Sequence, residues 1–250
     1  MITPDLEALA RDFWAGMGCH DTFPRAIEPA APLKLPLVIA KQALITAQTA
    51  RNWLQQRGIV VPLPNDRRDL YGCLVAHSGY GFIFVCDADS PAEQRLTIAH
   101  EVAHFLMDYY VPRRQVMRAL GAAMAEVLDG KRPPTPSERA AAILSHVRLG
   151  AHVHLLPRPG SSDEADSVIA QVEDRADRLA LELVAPRACI GDVLSRLVEP
   201  VGVTPDDIRL GLAAYFGLPP HVFDEVVQRL FRRPPPFFIT DIGTGLRRQR

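Results

Sequence analysis

The chain has 250 residues and a mass of 27.6 kDa, with 28 Lys and Arg against 29 Asp and Glu and a formal charge of -1. Near neutrality excludes the global basic field that drives non-specific nucleic-acid binding, so no direct nucleic-acid partner is expected. Hydrophobic residues make up 48% and charged ones 23%, an ordinary globular composition that excludes disorder, a collagen-like repeat or a coiled coil.

The N-terminus, Met1-Ile2-Thr3-Pro4-Asp5-Leu6-Glu7, lacks a basic start followed by an apolar run, and no stretch approaches the roughly 18 apolar residues of a membrane span. A cytoplasmic protein without a membrane partner is expected. Cys19, Cys73, Cys86 and Cys189 show no Cys-x-x-Cys pairing, and they read as small buried thiols. Arg232, Arg233, Arg247, Arg248 and Arg250 concentrate positive charge near the C-terminus, which reads as a solvated end.

In chain order, Thr3-Pro4 followed by Leu6, Leu9, Ala10 and Phe13 predicts a capped amphipathic helix, and Leu37 to Arg57, closed by Gly58, a longer one. From Gly58 the pattern changes to β-branched and aromatic runs. Ile59-Val60-Val61 reads as a strand, and Leu70 to Val75 and Phe82 to Cys86 read as a hairpin around His77-Ser78-Gly79-Tyr80. Ser90-Pro91-Ala92-Glu93 then opens a helix running through Asp108, with an N-cap serine, proline at the first helical position and a reaching-back glutamate. Thr135-Pro136-Ser137-Glu138 and Thr204-Pro205-Asp206-Asp207 repeat the device, Gly217 closing the second helix. Ser161 to Glu164 leads into a helix ending near Pro186, and the proline-rich patches at 132–136 and 233–236 read as connectors. The predicted fold class is α+β, with helices around a small strand hairpin.

The Ser90 helix carries Leu96, Ala99, Ala103 and Leu106 as an apolar stripe, with His100 and His104 one turn apart on the adjoining face. Two imidazoles at that spacing reach one ion, and zinc suits neutral imidazole nitrogen at about 2.0 to 2.1 Å. Glu101 stands where it can face a water at an open coordination position and take its proton, the role of a general base.

A hydrolytic zinc needs a third protein ligand from another element. Glu173 is the best candidate, because it falls within the stripe of Ile169, Val172, Ala176, Leu179, Ala180 and Leu183, where a lone carboxylate would be too costly to bury. Asp177, one turn on, suits the outer nitrogen of a ligand histidine. Asp108 ranks lower as third ligand. His146, His152 and His154 are spare imidazoles, His152-Val153-His154 being capable of weak metal binding, and Tyr109 and Tyr110 are possible oxyanion donors with packing the plainer role.

The run Arg95 to His104, the hairpin before it, and Glu173-Asp174-Arg175-Ala176-Asp177 followed by Leu179-Ala180 and Pro186 resemble the ImmA/IrrE family of bacterial zinc metallopeptidases. The resemblance implies a zincin-like core, Zn2+ held by His100, His104 and Glu173, Glu101 as base and Asp177 behind a ligand histidine. It implies cleavage of a protein substrate, a helix-turn-helix transcriptional repressor, in a regulatory or stress response. Sixty-nine positions separate His104 from Glu173, so residues 111–160 are expected to be a helical insertion. The expected organisation is N-terminal helices over 1–57, a metallopeptidase domain over 58–190, and a C-terminal helical region with a basic tail over 191–250. Two alternatives stand beside the endopeptidase: a zinc-binding but non-catalytic regulatory interaction module, and a component of a toxin and antitoxin pair.

Overall fold

A computed structural model describes residues 5–18, 22–144, 147, 149–158, 167–199 and 202–231. Cys19, His146, the Thr3-Pro4 and Ser161 to Glu164 helix starts, the 233–236 connector and the arginine-rich tail lie outside the described residues.

The N-terminal region is not helical throughout. α1 (Leu6–Trp14) is capped by Asp5, whose carboxylate accepts from the Ala8 amide at 3.1 Å. α2 (Ile27–Lys34) follows, and the predicted long helix divides into strand β1 (Leu37–Gln42) and α3 (Ala47–Gln55), with Thr46 and Thr49 forming a capping box at the division. Cap chemistry inside the run outweighs its helical periodicity. Ile59-Val60-Val61 forms no strand.

β2 (Leu70–His77) and β3 (Tyr80–Cys86) make the expected hairpin. Its two-residue turn, Ser78-Gly79, has φ values of 51° and 86°, the doubly positive pattern that matches strand twist. The sheet order is β1-β3-β2-β4, with β1 parallel to β3 and the other pairs antiparallel. The fourth strand, β4 (His152–Pro157), lies inside the stretch expected to be wholly helical. That stretch also holds α5 (Val111–Leu120), α6 (Met124–Leu128) and α7 (Pro136–Leu144), which share a small core of Val116, Met124, Val127, Leu128 and Ala142. Thr135 and Glu138 exchange the capping-box bonds at the start of α7.

Strand alternation sends residues to two cores. Cys73, Val75, Phe84 and Cys86 face Ala50 and Leu54 of α3, whereas Leu74, Ala76, Ile83 and Val85 face α4 (Pro91–His104). α4 packs between the sheet and α8 (Ser167–Val184), so burial extends round it from Gln94 to His104 apart from Arg95 and Leu96. The stripe of Leu96, Ala99, Ala103 and Leu106 expected from sequence therefore understates its burial, and Leu96 itself is only half-buried. α8 covers α4 with Ala176, Leu179, Ala180 and Leu183, all 1% exposed or less, while Val172 is exposed rather than part of the stripe.

The C-terminal end of α8 is held from the N-terminal region: the Trp14 indole donates to the Leu183 carbonyl at 2.8 Å and the Arg25 guanidinium at 2.9 Å. Both satisfy a carbonyl that a helix end leaves unpaired, and the cation suits the negative end of the helix. α9 (Arg187–Leu197), α10 (Pro205–Phe216) and α11 (Asp224–Phe231) complete the described chain. α10 has the expected Thr204–Asp207 capping box and ends at Gly217 in the left-handed conformation, φ 63°. Among the described residues, no helix is long and apolar enough to cross a membrane.

Two glycines test this packing in opposite directions. A Cβ at Gly81 would lie 2.4 Å from Leu37 Cδ2 and 2.8 Å from the Phe105 ring. Gly81→Ala is therefore expected to destabilise the fold by about 1 to 3 kcal/mol through overpacking. Gly191, inside α9, has open space around it, and Gly191→Ala is expected to stabilise by about 0.5 to 1 kcal/mol. Denaturant unfolding of both variants checks the pair; a neutral Gly81→Ala would contradict the contact of β1, β3 and Phe105.

Candidate metal centre

His100 and His104 stand one helical turn apart on α4, and their Nε2 atoms are 3.1 Å apart. Glu173 reaches over from α8, placing Oε2 3.3 Å from His100 Nε2 and 3.4 Å from His104 Nε2. Three donors bound to one tetrahedral ion at about 2.0 to 2.1 Å would be separated by roughly 3.3 to 3.4 Å, so these side chains fit a common ion with little movement. Glu173 is not a deeply buried carboxylate of the kind its sequence stripe suggested: 34% of its side chain is exposed, and it meets the histidines at the solvent margin.

A third imidazole joins them. His154, on β4 opposite Leu74, points to the α4 face of the sheet by strand alternation. Its Nε2 lies 3.3 Å from Glu173 Oε1, and its ring stacks on His104 with centroids 3.8 Å apart. His100, His104, His154 and Glu173 each offer one donor atom within 4.8 Å of the others and could hold a metal ion.

All three rings share one arrangement, with Nδ1 on a carboxylate and Nε2 turned toward Glu173. His100 Nδ1 meets Asp177 Oδ1 at 2.9 Å, and His104 Nδ1 meets Asp108 Oδ2 at 2.7 Å. His154 Nδ1 meets Glu101 Oε2, also at 2.9 Å. A carboxylate on the outer nitrogen fixes a ring's orientation and raises the basicity of the other nitrogen, which favours metal binding. Asp177 occupies the place read from sequence. Asp108, weighed there as a direct ligand, instead backs His104: α4 passes into a π-helical turn, Phe105–Tyr110, and the aspartate four residues on remains beneath the ring. The sequence carried that signal in the i, i+4 spacing alone.

Glu101 is wholly buried. Its Oε1 has no hydrogen-bond partner among the described residues, and a Cβ at Gly72 of β2 would come within 3.2 Å of that oxygen. Glycine in mid-strand thus leaves room beside this carboxylate. The tyrosines are engaged in packing contacts: the Tyr109 hydroxyl accepts from the Gly79 amide at 2.7 Å in the hairpin turn, and Tyr110 stacks on Phe105.

The electrostatics follow from this crowding. Burial alone would lower His100, but hydrogen bonds to Asp177 and Glu173 outweigh it and push the imidazole up to about 9. Burial likewise opposes protonation of His154, and Glu101 and Glu173 reverse the effect, pushing it up to about 10. Burial would raise both glutamates. The three histidines instead hold Glu173 well below the ordinary carboxylate range, and the charge and hydrogen bond of His154 lead in lowering Glu101. Anionic oxygens thus surround a cluster of imidazoles, a donor set whose excess negative charge a divalent cation would neutralise.

Comparison with curated proteins gives no match. Comparison with protein families finds one at residues 58–167, a span that includes His100, Glu101, His104 and His154 and stops before Glu173. The family is a peptidase family, and the matched model is described as the IrrE N-terminal-like domain. The resemblance read from Arg95 to His104 is thereby shown, and the chain carries at residues 58–167 a domain of the IrrE N-terminal-like peptidase family.

Proposed function

We propose that the protein is a zinc-dependent endopeptidase in which His100, His104 and Glu173 hold the ion and Glu101 is the general base. The observation that carries this reading is the approach of His100 Nε2, His104 Nε2 and Glu173 Oε2 to within 3.1 to 3.4 Å of one another. Imidazole nitrogen with carboxylate oxygen is a donor set of hydrolytic zinc sites. The chemistry supplied by the ion is Lewis-acid polarisation of a peptide carbonyl and acidification of a water.

The chain's own residues have distinct tasks. Asp177 and Asp108 hold the outer nitrogens of His100 and His104, so that both inner nitrogens face Glu173. Glu101, kept ionised by the neighbouring imidazoles, accepts a proton from the attacking water and returns it to the departing amide nitrogen. Gly72 leaves that carboxylate its space. Membership of a peptidase family supports the reaction class, and the ImmA/IrrE resemblance supports a helix-turn-helix transcriptional repressor as the protein substrate.

The purified protein is expected to bind about one zinc per chain. His100→Ala should abolish tight binding, and Asp177→Asn should weaken it by about 10- to 100-fold, the usual effect of removing a carboxylate behind a ligand histidine. Elemental analysis and competition with a chromophoric chelator measure both. Equal zinc affinity in wild type and His100→Ala would refute the site.

Glu101→Gln separates enzyme from zinc-binding module. The variant should keep its zinc and fold while losing cleavage of purified helix-turn-helix repressors, as followed by mass spectrometry of the fragments. Undiminished cleavage would remove Glu101 from the reaction.

A further inference from the structure

We propose that His154 is a fourth protein ligand of the metal centre and that β4, by carrying it there, holds the peptidase in a latent form. This rests on the zinc reading above. Three observations support it, and each concerns the strand or its histidine rather than the α4 pair.

The first is the shared arrangement of the three rings. His154 presents Nε2 to Glu173 and gives Nδ1 to a carboxylate, as His100 and His104 do. A histidine present only to fill space has no reason to reproduce both halves of that pattern. Three imidazoles and one carboxylate make a four-donor site, and four protein ligands close a zinc site, whereas hydrolysis requires one position open to water and substrate.

The second is what the same imidazole does to Glu101. Its Nδ1 holds Glu101 Oε2 at 2.9 Å, and Glu101 is wholly buried. One side chain thus engages both the fourth position and the base. As long as His154 stays in place, Glu101 orients a histidine and has no solvent-facing oxygen with which to take a proton from water.

The third is the placement of β4. Among the described residues it is an edge strand, paired only with β2, and residues 153–156 are half-buried. Its far end is fastened by Arg158, whose guanidinium contacts both oxygens of Asp89 at 2.8 Å and whose amide donates to the Asp69 carbonyl at 3.1 Å. An edge strand paired on one side is released by a local opening that uncovers Val153 and Leu155 but leaves α4 and α8 packed, and its departure would free the fourth position and Glu101 together.

X-ray absorption at the zinc edge on the zinc-loaded wild-type protein tests the ligand directly. Three imidazoles are expected. His154→Ala and His154→Gln should each retain about one zinc with two imidazoles and an added light oxygen ligand. Two imidazoles in the wild type would overturn the proposal while leaving the zinc reading intact; a wild type that binds no zinc would overturn both. Latency has its own readout in the cobalt-substituted protein titrated with acetohydroxamate. The visible spectrum of His154→Ala should shift at concentrations that leave the wild type unchanged, and equal shifts in the two would show that β4 does not close the site. Because the wild-type absorption measurement needs no variant, it decides the ligand even if both substitutions unfold.

Discussion

The centre depends on a repeated constraint: each of three imidazoles, His100 and His104 buried and His154 half-buried, is gripped at one nitrogen by a carboxylate so that the other nitrogen faces Glu173. A histidine ring can otherwise flip or rotate, and a ligand set that must first be ordered binds its ion more weakly. The carboxylates come from separate places, Asp177 on α8, Asp108 on the π-helical turn and Glu101 on α4 itself. Asp177 is largely exposed, so its bond to His100 contributes little to stability in water. Its value lies in where it points the ring.

Much of the fold serves to bring these elements into register. α4 lies between the sheet and α8, and small side chains, Ala99 and Ala103 on one helix and Ala176 and Ala180 on the other, allow the two helices to approach closely enough for Glu173 to reach the histidines. Trp14 and Arg25 tie down the opposite end of α8. From the sheet side, Gly72 makes space for Glu101 and Gly81 for Phe105, the residue directly after His104. The site thus depends as much on side chains withheld as on those supplied, since packed interiors leave little slack.

The helix of His100, Glu101 and His104, the hairpin before it and the α+β class were legible because each rests on local signals: a cap, a two-residue turn and an i, i+4 spacing. Glu173 and Asp177 could be named as a pair one turn apart, but their partners depended on how α8 crosses α4, which no local pattern encodes. The apolar stripe around Glu173 implies deep burial, whereas the carboxylate lies at the margin, where the histidines compensate its charge. His154 was legible only as a spare imidazole capable of weak metal binding, and its partners were not. It stands among helical signals and loops, and only the pairing of β4 with β2, a contact across about eighty positions of chain, brings it to Glu101. The division of residues 37–57 into β1 and α3 was hidden for the opposite reason, since a strand followed at once by a capped helix can imitate one long periodic run.

Everything proposed for this protein requires one ion where His100, His104 and Glu173 converge. Anomalous diffraction from crystals of the zinc-loaded protein, collected on both sides of the zinc absorption edge, tests it most directly. A single strong peak is expected about 2.0 to 2.2 Å from His100 Nε2, His104 Nε2 and a Glu173 oxygen. A peak bound elsewhere, or one that leaves Glu173 outside coordination distance, would contradict it.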